Sequence, residues 1–101
     1  MKLSERQRKF LRREAHSLKP VVTVGDKGIT PGLAQELDGA LEHHELLKIK
    51  VRIGDRDARD NAIAELAQTT KAQLISRVGN VATLYRQNKE KPKLVLPKRG
   101  N

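Results

Sequence analysis

Cysteine is absent from this chain of 101 residues, which removes disulfides, thiolate metal sites and cysteine nucleophiles together. A reducing compartment suits such a chain, and the cytoplasm is the expected location. Aromatic residues are almost as scarce: Phe10 and Tyr85 are the only two. RNA-recognition motifs and oligonucleotide-binding barrels stack bases on several rings, and this chain cannot build such a platform. No long apolar run exists, and the opening Met1-Lys2-Leu3-Ser4-Glu5-Arg6 lacks a signal peptide's hydrophobic stretch. A membrane partner is therefore not expected. Acidic residues are also in short supply, with 12 Asp and Glu against 21 Lys and Arg, a net charge of +9.

The placement of that charge says more than its total. Residues 1–20 carry seven bases and two acids, residues 89–101 carry five bases and one acid, and the stretch between has nine of each. A balanced core with two cationic ends is the footprint of a polyanion binder. The length suits one domain, which at this size hides roughly two-thirds of its unfolded surface. We place that domain at 1–88, followed by a basic, extended and mobile tail at 89–101.

Punctuation along the chain sets out the elements. Ser4-Glu5-Arg6-Gln7 matches a capping box, opening a helix that runs to about Ser17. Leu3, Phe10, Leu11, Ala15 and Leu18 form its apolar stripe, with Arg6, Arg8, Lys9, Arg12, Arg13 and His16 opposite. Pro20 ends it, and Val21 to Val24 reads as a buried strand. Thr30 and Pro31 then start a second helix, apolar at Leu33, Leu37, Ala40 and Leu41, that ends near His43-His44. Leu46 to Ile53 alternates, with Leu47, Ile49, Val51 and Ile53 on one face and Lys48, Lys50 and Arg52 on the other. Asp55 or Asp57 caps a third helix reaching about Thr70. Two strands, 74–78 and 81–86, flank a tight Gly79-Asn80 turn. The expected fold is α+β: an N-terminal helix plus a βαβαββ core, with helices packed on a small mixed four-stranded sheet.

Gly25-Asp26-Lys27-Gly28 lies between the first strand and a capped helix, where amides and the helix dipole favour an anion. Glycines would let a phosphate approach without meeting a side chain. The pair alone is a weak signal, and an ordinary glycine turn explains it equally well. The longer glycine spacing and Lys-Ser/Thr ending of a nucleotide-triphosphate loop are missing.

The run Leu18 to Thr30 (LKPVVTVGDKGIT), with Ala15-His16 before it, His44-Glu45-Leu46-Leu47-Lys48-Ile49-Lys50 after it, and Gly79 and Leu84-Tyr85-Arg86 near the end, resembles the CRM RNA-binding domain. The likeness is greatest to its bacterial single-domain members of the YhbY type and covers about Leu3 to Arg86. Arg77 and Ala82 depart from it, standing where bulkier apolar residues would suit the last hairpin.

The resemblance implies a fold like the C-terminal domain of translation initiation factor three. It implies a GxxG loop that holds RNA backbone as the comparable loop of KH domains does. The implied role is assembly of the large ribosomal subunit (pre-50S), with ribosomal RNA or its precursor particle as the partner of a monomer. The expected RNA-binding residues are Gly25, Asp26, Lys27, Gly28 and Thr30 in the loop, and Arg6, Lys9, Arg12, Arg13 and His16 on the helix. Lys48, Lys50 and Arg52 offer a secondary RNA surface, for which a plain solvated strand face is an equal account.

Other chemistries find little support. His43-His44 beside Glu42 and Glu45 could suggest a metal, but adjacent helical residues point about 100° apart, and helix capping explains them better. Asp55, Asp57 and Asp60 could be imagined as a nuclease site, yet they suit the start of a helix, and no paired base and nucleophile stands out. No enzyme activity, cofactor, metal or small-molecule substrate is expected. A non-specific DNA or polyanion binder and a ribosome-associated protein-interaction module are the competing readings.

Overall fold

A computed structural model describes residues 2–99. In chain order the elements are α1 (Glu5–Ala15), β1 (Pro20–Val24), α2 (Pro31–His44), β2 (Leu46–Val51), α3 (Arg56–Thr70), β3 (Gln73–Val78) and β4 (Val81–Tyr85). Each helix begins where a short polar side chain satisfies an orphan amide. Ser4 Oγ accepts from Gln7 N–H while Gln7 Oε1 accepts from Ser4 N–H, closing the capping box of α1. Thr30 Oγ1 accepts from Leu33 N–H at 3.1 Å to start α2. Asp55, rather than Asp57, caps α3 through Ala58 N–H at 2.8 Å.

The sheet runs β1-β2-β4-β3, with β1 parallel to β2 and both β4 pairings antiparallel. Alternation along β2 divides the protein into two cores. Leu47, Ile49 and Val51 face α2 and α3, where they meet Val24, Leu37, Leu41, Ile63, Leu66 and Leu84. Leu46 faces the other way, joining Leu3, Leu11, Ala15, Ile75 and Tyr85 under α1.

Several expectations need correction. β2 ends at Val51, not Ile53, because its neighbours run out: Val51 is paired with Val24, the last residue of β1, and Lys50 with Val81, the first of β4, while the Arg52 amide makes the final bond to Val24 O. The buried stripe of α1 is Leu3, Gln7, Leu11 and Ala15, while Phe10 is half-buried and Leu18 is exposed. α1 stops before Leu18 can reach the core, and Gln7 is buried because its two ends bond Ser4 and the carbonyl of Pro97. Arg8 is not a free surface cation. Its guanidinium donates to Leu74 O and Ile75 O, at the irregularity where the β3 register shifts between Leu74 and Ser76. Leu74 and Ile75 lie on opposite faces, as adjacent strand residues do, and the irregularity leaves Ile75 without a ladder partner, between the pairs Leu74–Leu84 and Ser76–Thr83. Arg77, paired across the ladder with the small Ala82, reaches Asp60 of α3 at 3.0 Å.

The segment after β4 has no helix or strand among its described residues and bends at 89–91 and 94, and it does not stand away from the domain. Glu45, fully buried between α2 and β2, accepts from Asn88 N–H at 2.7 Å through one carboxylate oxygen. The other oxygen accepts from Lys93 and Leu94 N–H, both at 2.8 Å. Leu94 and Leu96 then pack on the α1 core beside Phe10. Part of the tail expected at 89–101 is thus tied to the domain through Lys93 and Leu94, and Leu94 and Leu96 fill a gap that α1 leaves open.

Glu45→Ala should remove three charge-assisted hydrogen bonds at once and destabilise the protein by about 3 kcal/mol, measured by urea unfolding. Deleting 89–101 should cost stability as well, and an unchanged unfolding midpoint would show the segment to be superficial. The Tyr85 hydroxyl is buried without a hydrogen-bond partner among the described residues, and burial, then the Glu45 charge, pushes the phenol up from 10.0. The unfolded chain ionises first, so the stability from the neutral phenol is complete below about pH 10 and falls as pH climbs toward the folded value. Tyr85→Phe should leave neutral-pH stability equal or higher and flatten that alkaline decline in pH-dependent melting.

Candidate nucleic-acid interface

β1 delivers the chain to Gly25 one residue beyond the ladder pair Val24–Val51. A turn follows in which Gly28 N–H donates to Gly25 O at 3.0 Å, leaving Asp26 and Lys27 at the corner. Gly28 has φ +75°, a conformation costly for any residue with a Cβ. Gly25 is different: its φ is ordinary, and an added Cβ would meet nothing within 4 Å. Packing therefore gives no reason for glycine at Gly25, as it gives none at Gly32, Gly39 or Gly54.

Not every amide in the loop is available. Gly28 spends its N–H on the turn, Leu33 spends its own on Thr30, and Pro31 has none. Thr30 is thus engaged as a cap. Among the described residues, no hydrogen-bond partner is found for the amides of Asp26, Lys27, Ile29 and Gly32. Asp26 and Lys27 are both exposed. The loop can accordingly offer peptide donors and one cation at the positive end of α2.

The helix cations divide by position. Arg6, Lys9 and Arg13 are exposed on the outer side of α1. Arg12 is half-buried and pairs with Glu5 at 3.1 Å, an exposed ion pair weak enough to be exchanged for a phosphate. Arg12 and His16 also flank a depression that reaches Lys48 on the sheet. Lys50 and Arg52 are exposed further along the β2 line. The structure thus brings Arg12, His16 and Lys48 together, while the glycine loop stands at the opposite end of β1.

Two residues that belong to the family pattern, Arg86 and Glu45, make structural contacts. The Arg86 guanidinium donates to Asp38 Oδ1 at 2.6 Å, to Asp38 O and to Thr70 O, stitching β4 to the two helices beneath it. Glu45 anchors the C-terminal segment. The rings of His43 and His44 meet edge-on at 4.6 Å, and among the described residues no cluster of three or more His, Asp or Glu forms a metal site.

The sequence profile of the CRS1 / YhbY (CRM) domain matches residues 3–86. The chain belongs to this family. It is 40% identical over 97 residues to an RNA-binding protein of Haemophilus influenzae, covering 96% of this chain and 97% of that one. It is 32% identical over 95 residues to a Bacillus subtilis protein named as a probable RNA-binding protein, covering 94% and 99% respectively. The solution structure of a hypothetical Staphylococcus aureus protein superposes with a TM-score of 0.80 at 29% identity, covering 95% of this chain and all of that one. This CRM domain therefore has the α+β architecture expected from sequence.

The two loop glycines should separate on substitution. Gly28→Ala is expected to cost about 1 kcal/mol of stability through its positive φ, and Gly25→Ala less than about 0.5 kcal/mol. Equal costs in thermal unfolding would show that Gly25 serves the fold after all.

Proposed function

We propose that this CRM-domain protein binds structured RNA through its phosphate backbone and performs no catalysis. The observation that carries the reading is the exposed Asp26-Lys27 corner, whose amides are unpartnered at the start of α2. A phosphate held there would accept from peptide donors and meet Lys27, with the helix dipole adding to the attraction. Arg6, Lys9, Arg12 and Arg13 would clamp neighbouring phosphates, His16 would extend that surface, and Lys48, Lys50 and Arg52 would supply a second one. Membership of a family whose relatives carry RNA-binding names favours RNA over DNA as the polymer. Within that reading, the partner is large-subunit ribosomal RNA or its precursor particle, the site of action is the cytoplasm, and the protein acts as a monomer during assembly.

The test is a fluorescence-anisotropy titration with a structured large-subunit RNA fragment at several salt concentrations, with duplex DNA as control. Lys27→Asp sets two carboxylates where the phosphate should sit, and affinity for RNA should fall by about tenfold or more while the melting temperature holds. Equal binding of RNA and DNA, untouched by the substitution, would replace the reading with a generic polyanion surface. Replacing Arg6, Lys9, Arg12 and Arg13 by Ala should reduce the salt slope by about one for each phosphate that is no longer neutralised. An unchanged slope would remove α1 from the interface.

A further inference from the structure

On its α1 side the sheet is only half covered. α1 and the C-terminal segment lie over the end that holds Leu46, Ile75 and Tyr85. Beyond Ala15 the helix has stopped, and a groove of about 470 Å³ opens between its end and the bare half of the sheet. Small-molecule clefts run from roughly 300 to 1,000 Å³, so the space suits a ligand group larger than a phosphate. Val78 and Val81 give its floor an apolar part, beside the hydroxyl-bearing Ser76 and Thr83, while Arg12, His16, Lys19 and Lys48 stand around it; no carboxylate lines it.

Two features distinguish this groove from a surface that meets phosphates alone. Val78 is 78% exposed and Leu18 37% exposed, apolar area that a purely ionic interaction leaves without use. The cations also have direction. Strand alternation carries Lys48 to Lys50 and Arg52, spaced about 6.6 Å apart, toward the end of the sheet where β1 hands over to Gly25. From Pro20, which is paired with Lys48, to Val24 is about 13 Å at strand rise. An A-form duplex keeps its base faces stacked inside and presents a backbone to such a surface. An unpaired strand offers both a flat apolar base and a phosphate at each step.

We propose that this groove seats an unpaired stretch of RNA, with bases against the Val78–Val81–Thr83 floor and backbone along the Lys48–Lys50–Arg52 row toward the glycine loop. The inference rests on the RNA-binding reading above. It adds that the protein recognises a junction, in which a folded element held at the loop continues into a single strand.

The experiment compares two RNAs by anisotropy: a blunt hairpin, and the same hairpin with an unpaired extension of about six nucleotides. The wild-type protein should bind the extended RNA about tenfold more tightly. Val78→Asn and Val81→Asn, which add no charge beside Arg12, His16 and Lys48, should each abolish that gain while keeping the blunt-hairpin affinity, with circular dichroism and melting temperature confirming the fold. Val78 is so exposed that its variant carries the test should Val81→Asn unfold. Equal binding of the two RNAs by the wild type, or a gain that survives in a folded groove variant, overturns this inference and leaves the RNA reading standing. Failure of the wild type to bind either RNA overturns both. Displacement of the extension from the groove by poly-glutamate at matched charge would overturn it in favour of an acidic polypeptide partner.

Discussion

Among the described residues no cation pairs with the Glu45 carboxylate, which is fully buried and held by three peptide N–H groups of one segment. Removing a charge from water is costly unless hydrogen bonds replace its hydration. Glu45 also adopts φ 63°, ψ −50° at the junction of α2 and β2, a conformation costing about 1–3 kcal/mol in an ordinary residue. Both costs are tolerated because the position joins so much. Its N–H donates to Leu41 O, its carbonyl accepts from Arg86 N–H, and its side chain holds the segment that brings Leu94 and Leu96 to the second core. Without this node, α1 would lie on the sheet with one flank open.

What was legible in the sequence was local. The capping residues Ser4, Thr30 and Asp55, together with Pro20 and Pro31, mark element ends through interactions within four residues, so their signal lies in adjacent letters. The β2 pattern also read correctly for its first six positions. What the sequence concealed was long-range. Gln7 is buried because a carbonyl ninety residues away accepts from it, and nothing near Gln7 announces Pro97. Arg77 looked out of place in a hairpin until Asp60 supplied its partner beside the small Ala82. Arg8 resembled its basic neighbours until the bulged β3 edge presented two carbonyls to it.

The same division holds for the candidate site. The sequence located the glycine loop, since strand, turn and cap follow in order, but it did not show that Gly28 and Leu33 spend their amides internally. It set out the cations of α1 and β2 separately, and only the half-covered sheet brings Arg12, His16 and Lys48 to one groove. The two cationic ends of the chain also converge: Gln7 meets Pro97, and Arg99 donates to the carbonyl of Lys2. Charges at opposite ends of the sequence therefore contribute to a common local field, which strengthens attraction for a polyanion at distances within a Debye length.

The placement of Leu94 and Leu96 under α1 has a consequence for the order of folding. On a chain synthesised from its N-terminus, every member of the α2–α3 core has been made once Leu84 is in place. The buried members of the core beneath α1 are complete one residue later, at Tyr85, but its outer flank closes only with the two leucines some ninety residues after Leu3. Interactions so distant in sequence form late, after their loop entropy has been offset by the core already built. During that interval α1 can already rest on Leu46, Ile75 and Tyr85, and only the flank beside Phe10 stays uncovered.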